Sequence, residues 1–169
     1  MIAWGKRVSE EFRRRMVDIA IDLDIPVDYL TACIAWESGR SFKPDIKNMA
    51  GSGATGLIQF MPSTARALGT TTQQLAEMTA EEQLFYVHKY FQPYRGRIKT
   101  LEDVYMAILW PIAIGKPDDY VLFDRATRPT TYRQNAGLDY NKDGKITKWE
   151  ATAKVRAAFA QGLEPENLE

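Results

Sequence analysis

Glu37 is the carboxylic acid whose position in the sequence best suits proton-transfer chemistry. It directly follows the apolar stretch Thr31–Trp36, and Gly39 lies two positions after it. A carboxylate at the C-terminal end of a helix meets the negative end of the helix dipole, and partial burial further disfavours its charge. Both effects raise the pKa, as a general acid working near neutral pH requires. Glu37 is therefore predicted to be a proton donor. The alternative is a helix-ending glutamate that simply faces water.

Two motifs around Glu37 resemble the catalytic core of the family 1 lytic transglycosylases and the related goose-type lysozymes. The first appears as Glu37-Ser38, followed by Phe42 and Pro44 after a two-residue insertion. The second appears as the glycine-containing segment Gly53–Gln59, followed by Met61–Ala65. The two motifs occur in the family's order and at its spacing, which makes the resemblance specific.

The resemblance implies a lysozyme-like α fold in which Glu37 acts as catalytic acid and base on peptidoglycan. The bond cleaved would be the β-1,4 linkage between N-acetylmuramic acid and N-acetylglucosamine. The resemblance also implies that Gln59 and the backbone at Ile58 hold the acetamido groups of the sugars. The neighbouring motif residues that we expect to contact the substrate are Ser38, Phe60 and Met61.

The family's later motifs are poorly kept. Trp110 stands where the third motif has a tyrosine, and Pro111 replaces an asparagine, so the amide that would orient the substrate there is lost or moved. Tyr132 is the candidate, from chain order, for the family's fourth element, a tyrosine whose hydroxyl lies near the catalytic glutamate. We expect Trp110 and Tyr132 to contribute to the substrate site.

A site with one carboxylate predicts the transglycosylase product. If Glu37 takes the proton of the muramoyl C6 hydroxyl after bond cleavage, a 1,6-anhydro ring forms and no water is consumed. The alternative within enzymes is hydrolysis, for which an inverting enzyme needs a second carboxylate about 6.5–9.5 Å away. An alternative of another class is a non-catalytic module that binds the cell wall or takes part in virion assembly.

The segment Gly51–Gly56 also fits the dinucleotide-binding pattern G-x-G-x-x-G. That interpretation requires a hydrophobic strand before the glycines and a long helix after them. The sequence IKNMA precedes them and Pro62 soon follows, so a glycan-binding loop is favoured.

A second constellation, from Asp139 to Glu150, has the spacing of an EF-hand calcium loop, with Gly144 at the sharp turn. We expect a single, structural calcium ion, although an acidic turn without an ion is the alternative. The predicted oxygen ligands are Asp139, Asn141, Asp143, the carbonyl of Lys145, Thr147 through a water, and Glu150 through both oxygens. No organic cofactor is expected.

Composition restricts the partners of the chain. Lys+Arg and Asp+Glu number 22 each, so the net charge of zero gives no overall attraction to nucleic acid. The single Cys33 permits no intramolecular disulfide and is predicted to be a buried hydrophobe. No apolar run approaches the roughly 18 residues that span a bilayer, and we expect no membrane insertion.

The opening segment breaks into charges within a few residues and does not resemble a signal peptide. A wall-degrading enzyme without one suggests a bacteriophage product that acts on the host periplasm or cell wall. It could be an endolysin, or a lysin carried on a phage particle or tail. A bacterial enzyme exported by a dedicated device is the alternative.

Helical periodicity dominates the sequence and predicts a mainly α, lysozyme-like single domain over residues 1–169. A short β-hairpin near Ala50–Phe60 is the most sheet that we expect. Residues 115–137 are predicted to be irregular and the last six residues to be frayed. The predicted helices cover Glu10–Leu23, Tyr29–Ser38, Ser63–Gly69, Thr72–Met78, Thr79–Phe91, Leu101–Trp110 and Thr147–Ala160.

Overall fold

Nine α-helices and one two-stranded sheet make up the chain in the computed structural model, which describes residues 1–169. The mainly helical class predicted from the sequence is confirmed. The helices are α1 (Glu10–Leu23), α2 (Val27–Glu37), α3 (Pro62–Ala67), α4 (Thr72–Glu77), α5 (Ala80–Phe91), α6 (Leu101–Leu109), α7 (Pro129–Gln134), α8 (Lys148–Ala151) and α9 (Ala153–Gly162). The strands are β1 (Val121–Asp124) and β2 (Lys145–Thr147), and they pair antiparallel.

Helix α1 forms where its sequence predicts it. The hydroxyl of Ser9 accepts a hydrogen bond from the backbone N–H of Phe12, which satisfies one of the free donors at the helix start. All five residues of its apolar stripe are buried, and the helix has the predicted bounds. The stripe comprises Phe12, Met16, Ile19, Ala20 and Leu23.

Helix α2 lies at the centre of the core. Its residues Leu30–Ala35 are all buried, and it packs against α1, α6 and α9. A helix that is apolar on every side is stable only when neighbouring elements cover all of its faces. The C-terminal end of α2 leaves this core, and Glu37 is the last residue of the helix. Helix α2 begins two residues before the predicted Tyr29, because Pro26 occupies the N-cap position.

The sheet lies outside the segment where the hairpin was predicted. Around Ala50–Phe60 there are only isolated bridges, in which Thr55 pairs with both Lys47 and Phe60. The strands β1 and β2 instead join residues that are far apart in the sequence, with Phe123 opposite Ile146. Each strand has at most four residues, too few for an alternating pattern to be recognised.

The predicted final helix is broken in two at Thr152, between α8 and α9. The hydroxyl of Thr152 donates to the carbonyl of Lys148 at 2.8 Å. Such a bond to the preceding turn competes with the regular helical ladder and bends the helix. Thr147 and Glu150 form a capping box at the start of α8, in which each side chain accepts from the other residue's backbone N–H group.

The prediction of a frayed C-terminal segment is wrong. Asn167 is 3% exposed, and its side-chain oxygen accepts from Nε of Arg7 at 2.8 Å. Close by, the indole N–H of the buried Trp4 donates to the carbonyl of Ala158 at 2.9 Å. These contacts join the first and last residues of the chain. No helix in the structure combines the length and the apolar character needed to cross a membrane.

Candidate active site

Glu37 occupies the partly exposed end of α2, one turn beyond the buried Cys33. Burial raises the pKa of Glu37 to about 7, although a hydrogen bond with the Tyr105 hydroxyl acts in the opposite direction. Near neutral pH a carboxyl group with this pKa holds its proton in a large share of the molecules. It can therefore donate that proton and later accept one, as an acid and base in a single residue must.

The hydroxyl that meets Glu37 comes from α6. Tyr105 is 6% exposed, and its oxygen accepts a hydrogen bond from the indole N–H of Trp36 at 3.1 Å. Burial, followed by the charge of Glu37, raises the pKa of Tyr105 well above its ordinary value, so this phenol stays protonated. Since the Trp36 N–H can only donate, the phenolic proton is left for the Glu37 carboxylate.

Tyr132 does not supply this hydroxyl, contrary to the prediction from chain order. Its O–H donates to Oδ2 of Asp139 at 2.6 Å, in the acidic loop. Tyr105 was missed because it lies in the apolar face of a helix remote in sequence from Glu37. The sequence feature that could have identified Tyr105 is its polar hydroxyl within the otherwise apolar, core-facing side of α6.

Ser38 holds the chain that leaves α2. Its hydroxyl oxygen accepts from the backbone N–H of Phe42 at 3.0 Å, and the residue is 1% exposed. Phe42 has a left-handed φ of 52° and packs edge-on against Phe12. A contact between Ser38 and the substrate stays a prediction. The serine fixes a tight, conformationally costly turn directly after Glu37.

The four motif residues expected to bind sugar line one small pocket of about 50 Å³. Met61 is the exposed member of this group, at 44%, whereas Ile58 and Phe60 are buried walls. Three further residues, which were not among the predicted substrate contacts, complete the lining from α3, α5 and α6. They are Thr64, Tyr90 and Ile108.

Gln59 enters the pocket with a fixed amide orientation. Its φ is 54°, and its Nε2 donates to the carbonyls of Ile46 at 3.2 Å and Gly56 at 3.1 Å. Because both partners are acceptors, the nitrogen end of the amide must face them. No protein group donates to Oε1 of Gln59, so this oxygen is free to accept a hydrogen bond from a ligand N–H.

Tyr90 connects this pocket electrostatically with Glu37. Its hydroxyl donates to the carbonyl of Ala107 in α6. Burial is the largest cause of its raised pKa, followed by Tyr94 and by the charge of Glu37. The charge of Glu37 therefore acts on a residue that lines the pocket.

Gln83 on α5 holds the glycine-containing loop in place through side-chain hydrogen bonds. It is fully buried, and its Nε2 donates to the carbonyls of Pro44 and Leu75, both at 2.9 Å. Its Oε1 accepts from the backbone N–H of Leu57 at 2.8 Å. The amide therefore makes two hydrogen bonds to loop segments and one to α4. Through these bonds Gln83 holds two loop segments against α4 and α5. Periodicity could not single it out, because a glutamine on a helix is normally exposed.

Trp110 directly follows the last residue of α6, and its side chain packs against strand β1. Its ring lies 5.0 Å from the Phe123 ring, and the Arg128 guanidinium lies 5.4 Å from its centroid. It does not line the small pocket. A contact between Trp110 and the substrate stays a prediction.

No second carboxylate influences the catalytic candidate. The pKa of Glu37 reflects burial and Tyr105, and no acidic side chain contributes to it. The site combines the Glu37 carboxyl group and the Tyr105 phenol with a pocket that has a free amide oxygen. The acidic loop is a separate feature, in which carboxylate oxygens of Asp139, Asp143 and Glu150 lie within 4.8 Å of one another.

Comparison with known families agrees with this geometry. The chain is mainly helical, and its residues 21–89 match the family described as the transglycosylase SLT domain. The match covers less than half of the chain, from within α1 to near the end of α5, and includes Glu37, Gln59 and Gln83. It supports the resemblance to lytic transglycosylases, and with it a lysozyme-like fold. No curated protein sequence matches the chain.

Proposed function

We propose that this protein cleaves the glycan backbone of bacterial peptidoglycan with Glu37 as general acid and base. The observation that carries the proposal is a partly exposed carboxyl group with a pKa of about 7, whose charge acts on Tyr90 in the lining of the small pocket that contains Gln59. The match of residues 21–89 to the transglycosylase SLT domain supports the same substrate class. The bond cleaved is the β-1,4 linkage between N-acetylmuramic acid and N-acetylglucosamine.

In the first step, protonated Glu37 donates its proton to the glycosidic oxygen, and the bond from this oxygen to the muramoyl C1 breaks. Positive charge develops on the sugar ring while negative charge develops on Glu37. The Tyr105 O–H stabilises the new carboxylate, since a hydrogen bond to an ionised group is stronger than one to a neutral group.

In the second step, the Glu37 carboxylate takes the proton of the muramoyl C6 hydroxyl, and O6 forms a bond to C1. The product is a 1,6-anhydro ring, and Glu37 is again protonated. Every proton is accounted for without water. Support for this route over hydrolysis comes from the match of residues 21–89 to the transglycosylase SLT domain. A hydrolase of the inverting type would need a second carboxylate to activate water.

The pocket provides a means to recognise N-acetylated sugars. The free Oε1 of Gln59 can accept from an acetamido N–H, and the buried walls from Ile58 and Phe60 suit the methyl group. The fixed orientation of the Gln59 amide means that it is ordered before binding, which reduces the entropic cost of recognition.

The test is digestion of purified peptidoglycan followed by mass spectrometry of the soluble fragments. Anhydro-muramic ends are expected, and they weigh one water less than reducing ends. Fragments with reducing ends only would replace the transglycosylase route with hydrolysis.

Glu37→Gln separates catalysis from wall binding. It should abolish the clearing of a peptidoglycan suspension, whereas Glu77→Gln, at an exposed position on α4, should clear it like the unmodified protein. Equal clearing by Glu37→Gln would remove Glu37 from the mechanism. Binding without any clearing by the unmodified protein would favour a non-catalytic cell-wall module.

A further inference from the structure

Residues 139–150 bring several oxygen atoms together on a short stretch of backbone. Asp139 follows a 3-10 turn, Asp143 lies in the loop before β2, and Glu150 lies in α8. One carboxylate oxygen from each lies within 4.8 Å of the others. Three negative charges at this separation repel one another, and a cation would offset that repulsion.

Asp139 supplies an independent indication of a missing partner. The residue is 5% exposed, and its Oδ1 is buried without any hydrogen bond. It is the only buried side-chain polar atom in the protein in that condition. Buried polar atoms nearly always have a partner, because leaving one unpaired is costly.

The other oxygen of Asp139 is already in use. Oδ2 accepts from the Tyr132 hydroxyl at 2.6 Å and from the Gly144 backbone N–H at 2.9 Å. These two bonds fix the rotation of the carboxylate, so Oδ1 has a defined position and nothing to bind. A carboxylate held in this way is prepared to give one oxygen to a cation.

The donor chemistry points to a hard cation. The cluster contains carboxylates and no histidine or cysteine. Asn141 and the Lys145 carbonyl add neutral oxygens at the third and seventh positions counted from Asp139. A set of six or more oxygens from a flexible loop suits Ca²⁺, whereas Mg²⁺ requires near-octahedral geometry and retains several waters.

We propose that residues 139–150 bind one Ca²⁺ ion, for which the unpartnered Oδ1 of Asp139 is a ligand. The further ligands are Asn141, Asp143, the carbonyl of Lys145, a water held by Thr147, and Glu150. Through its bonds the ion joins three elements. Tyr132 of α7 holds Asp139, Lys145 and Thr147 belong to β2, and Glu150 belongs to α8.

The test uses the full chain stripped of metal with a chelator and titrated with CaCl₂ by calorimetry. One saturable site per chain is expected, together with a rise in the melting temperature on calcium addition. Tb³⁺ gives a second readout, since Trp149 and Tyr140 lie within the loop and should sensitise its emission. MgCl₂ at equal concentration should bind at least tenfold more weakly.

Two variants and a matched control locate the site. Asp143→Asn changes an exposed residue and leaves the core untouched, and Glu150→Gln removes the last acid of the loop. Each should weaken calcium binding at least tenfold, whereas Glu166→Gln, at an exposed position outside the loop, should not. The proposal fails if calcium produces no saturable heat and no thermal shift. It also fails if the loop variants bind as tightly as the control, or if magnesium binds equally well.

Discussion

At the scale of single residues, the burial that raises the pKa of Glu37 lowers the stability of the folded protein. The proposed chemistry requires that raised pKa. The carboxyl group has an ordinary pKa of 4.5 and a pKa of about 7 in the folded chain. The folded protein therefore binds the proton more tightly than the unfolded chain. Stability is greatest while Glu37 is protonated, and it declines as the pH rises from about 4.5 to about 7.

Glu37→Gln should therefore be more stable than the unmodified protein at alkaline pH. Glutamine is neutral, so the variant avoids a penalty on the order of 3 kcal/mol at pH 8, because each pKa unit corresponds to about 1.4 kcal/mol. At pH 4 the two proteins should unfold at the same denaturant concentration. Urea unfolding at both pH values measures this. The exposed control Glu77→Gln should show no such pH-dependent gain, and a gain equal to that of Glu37→Gln would contradict the burial argument.

Tyr105→Phe tests the partner of the acid. The Tyr105 hydroxyl stabilises the Glu37 carboxylate, so its removal should raise the pKa of Glu37 further. The alkaline limb of the pH profile of kcat/KM should move upward by on the order of one unit. Tyr86→Phe is the control, because the Tyr86 hydroxyl makes no hydrogen bond within the protein. An unchanged limb in Tyr105→Phe would show that the phenol does not act on Glu37.

At the scale of elements, the glycine-containing loop depends on the buried amide of Gln83. A Cβ placed on Gly56 would lie 2.4 Å from Oε1 of Gln83, and Gly56 has a φ of 87°. A Cβ on Gly51 would meet nothing within 4 Å, although its φ of 79° is similar. The two glycines therefore share a backbone conformation and differ in their surroundings.

This difference predicts unequal effects of the same substitution. Gly51→Ala should cost about 1–2 kcal/mol, from the left-handed backbone alone. Gly56→Ala should cost about 1–3 kcal/mol more, because it forces Gln83 away from the Leu57 N–H. Chemical denaturation of both variants gives the comparison. Equal losses would mean that the loop adapts without Gln83.

The features that could be predicted from the sequence depend on residues that lie close to one another in the chain. Helix α1 is set by its own cap and stripe, and the pocket residues Ile58–Met61 follow one another in a single motif. Tyr105, Gln83 and Tyr90 come from helices distant in sequence, and only tertiary packing brings them to the site. The sheet was missed for the same reason, since its short strands gain their pairing partners across a long loop.

At the scale of the whole molecule, a buried ion pair joins the C-terminal elements to the helix that carries Tyr105. Nζ of Lys148 in α8 lies 2.6 Å from Oδ1 of Asp103 in α6, and both side chains are less than a tenth exposed. Nζ also donates to the Lys116 carbonyl at 2.8 Å, and Asp103 accepts from the Gly115 N–H at 2.9 Å. Burial alone would raise the pKa of Asp103, but the bonds from Lys148 and Gly115 bring it below its ordinary value.

Lys148→Met should destabilise the protein by about 3–5 kcal/mol, because it leaves the Asp103 charge buried without its cation. Lys99→Met is the matched control. It removes the lysine of an exposed pair, whose Nζ lies 4.0 Å from Asp24, and should cost less than about 1 kcal/mol. Urea unfolding of both variants measures the contrast. If the double variant Asp103→Leu with Lys148→Met recovers most of the loss, the cost lies in the unpaired charge. If it recovers none, the packing of α8 on α6 requires the lysine itself, and the ion-pair argument is wrong.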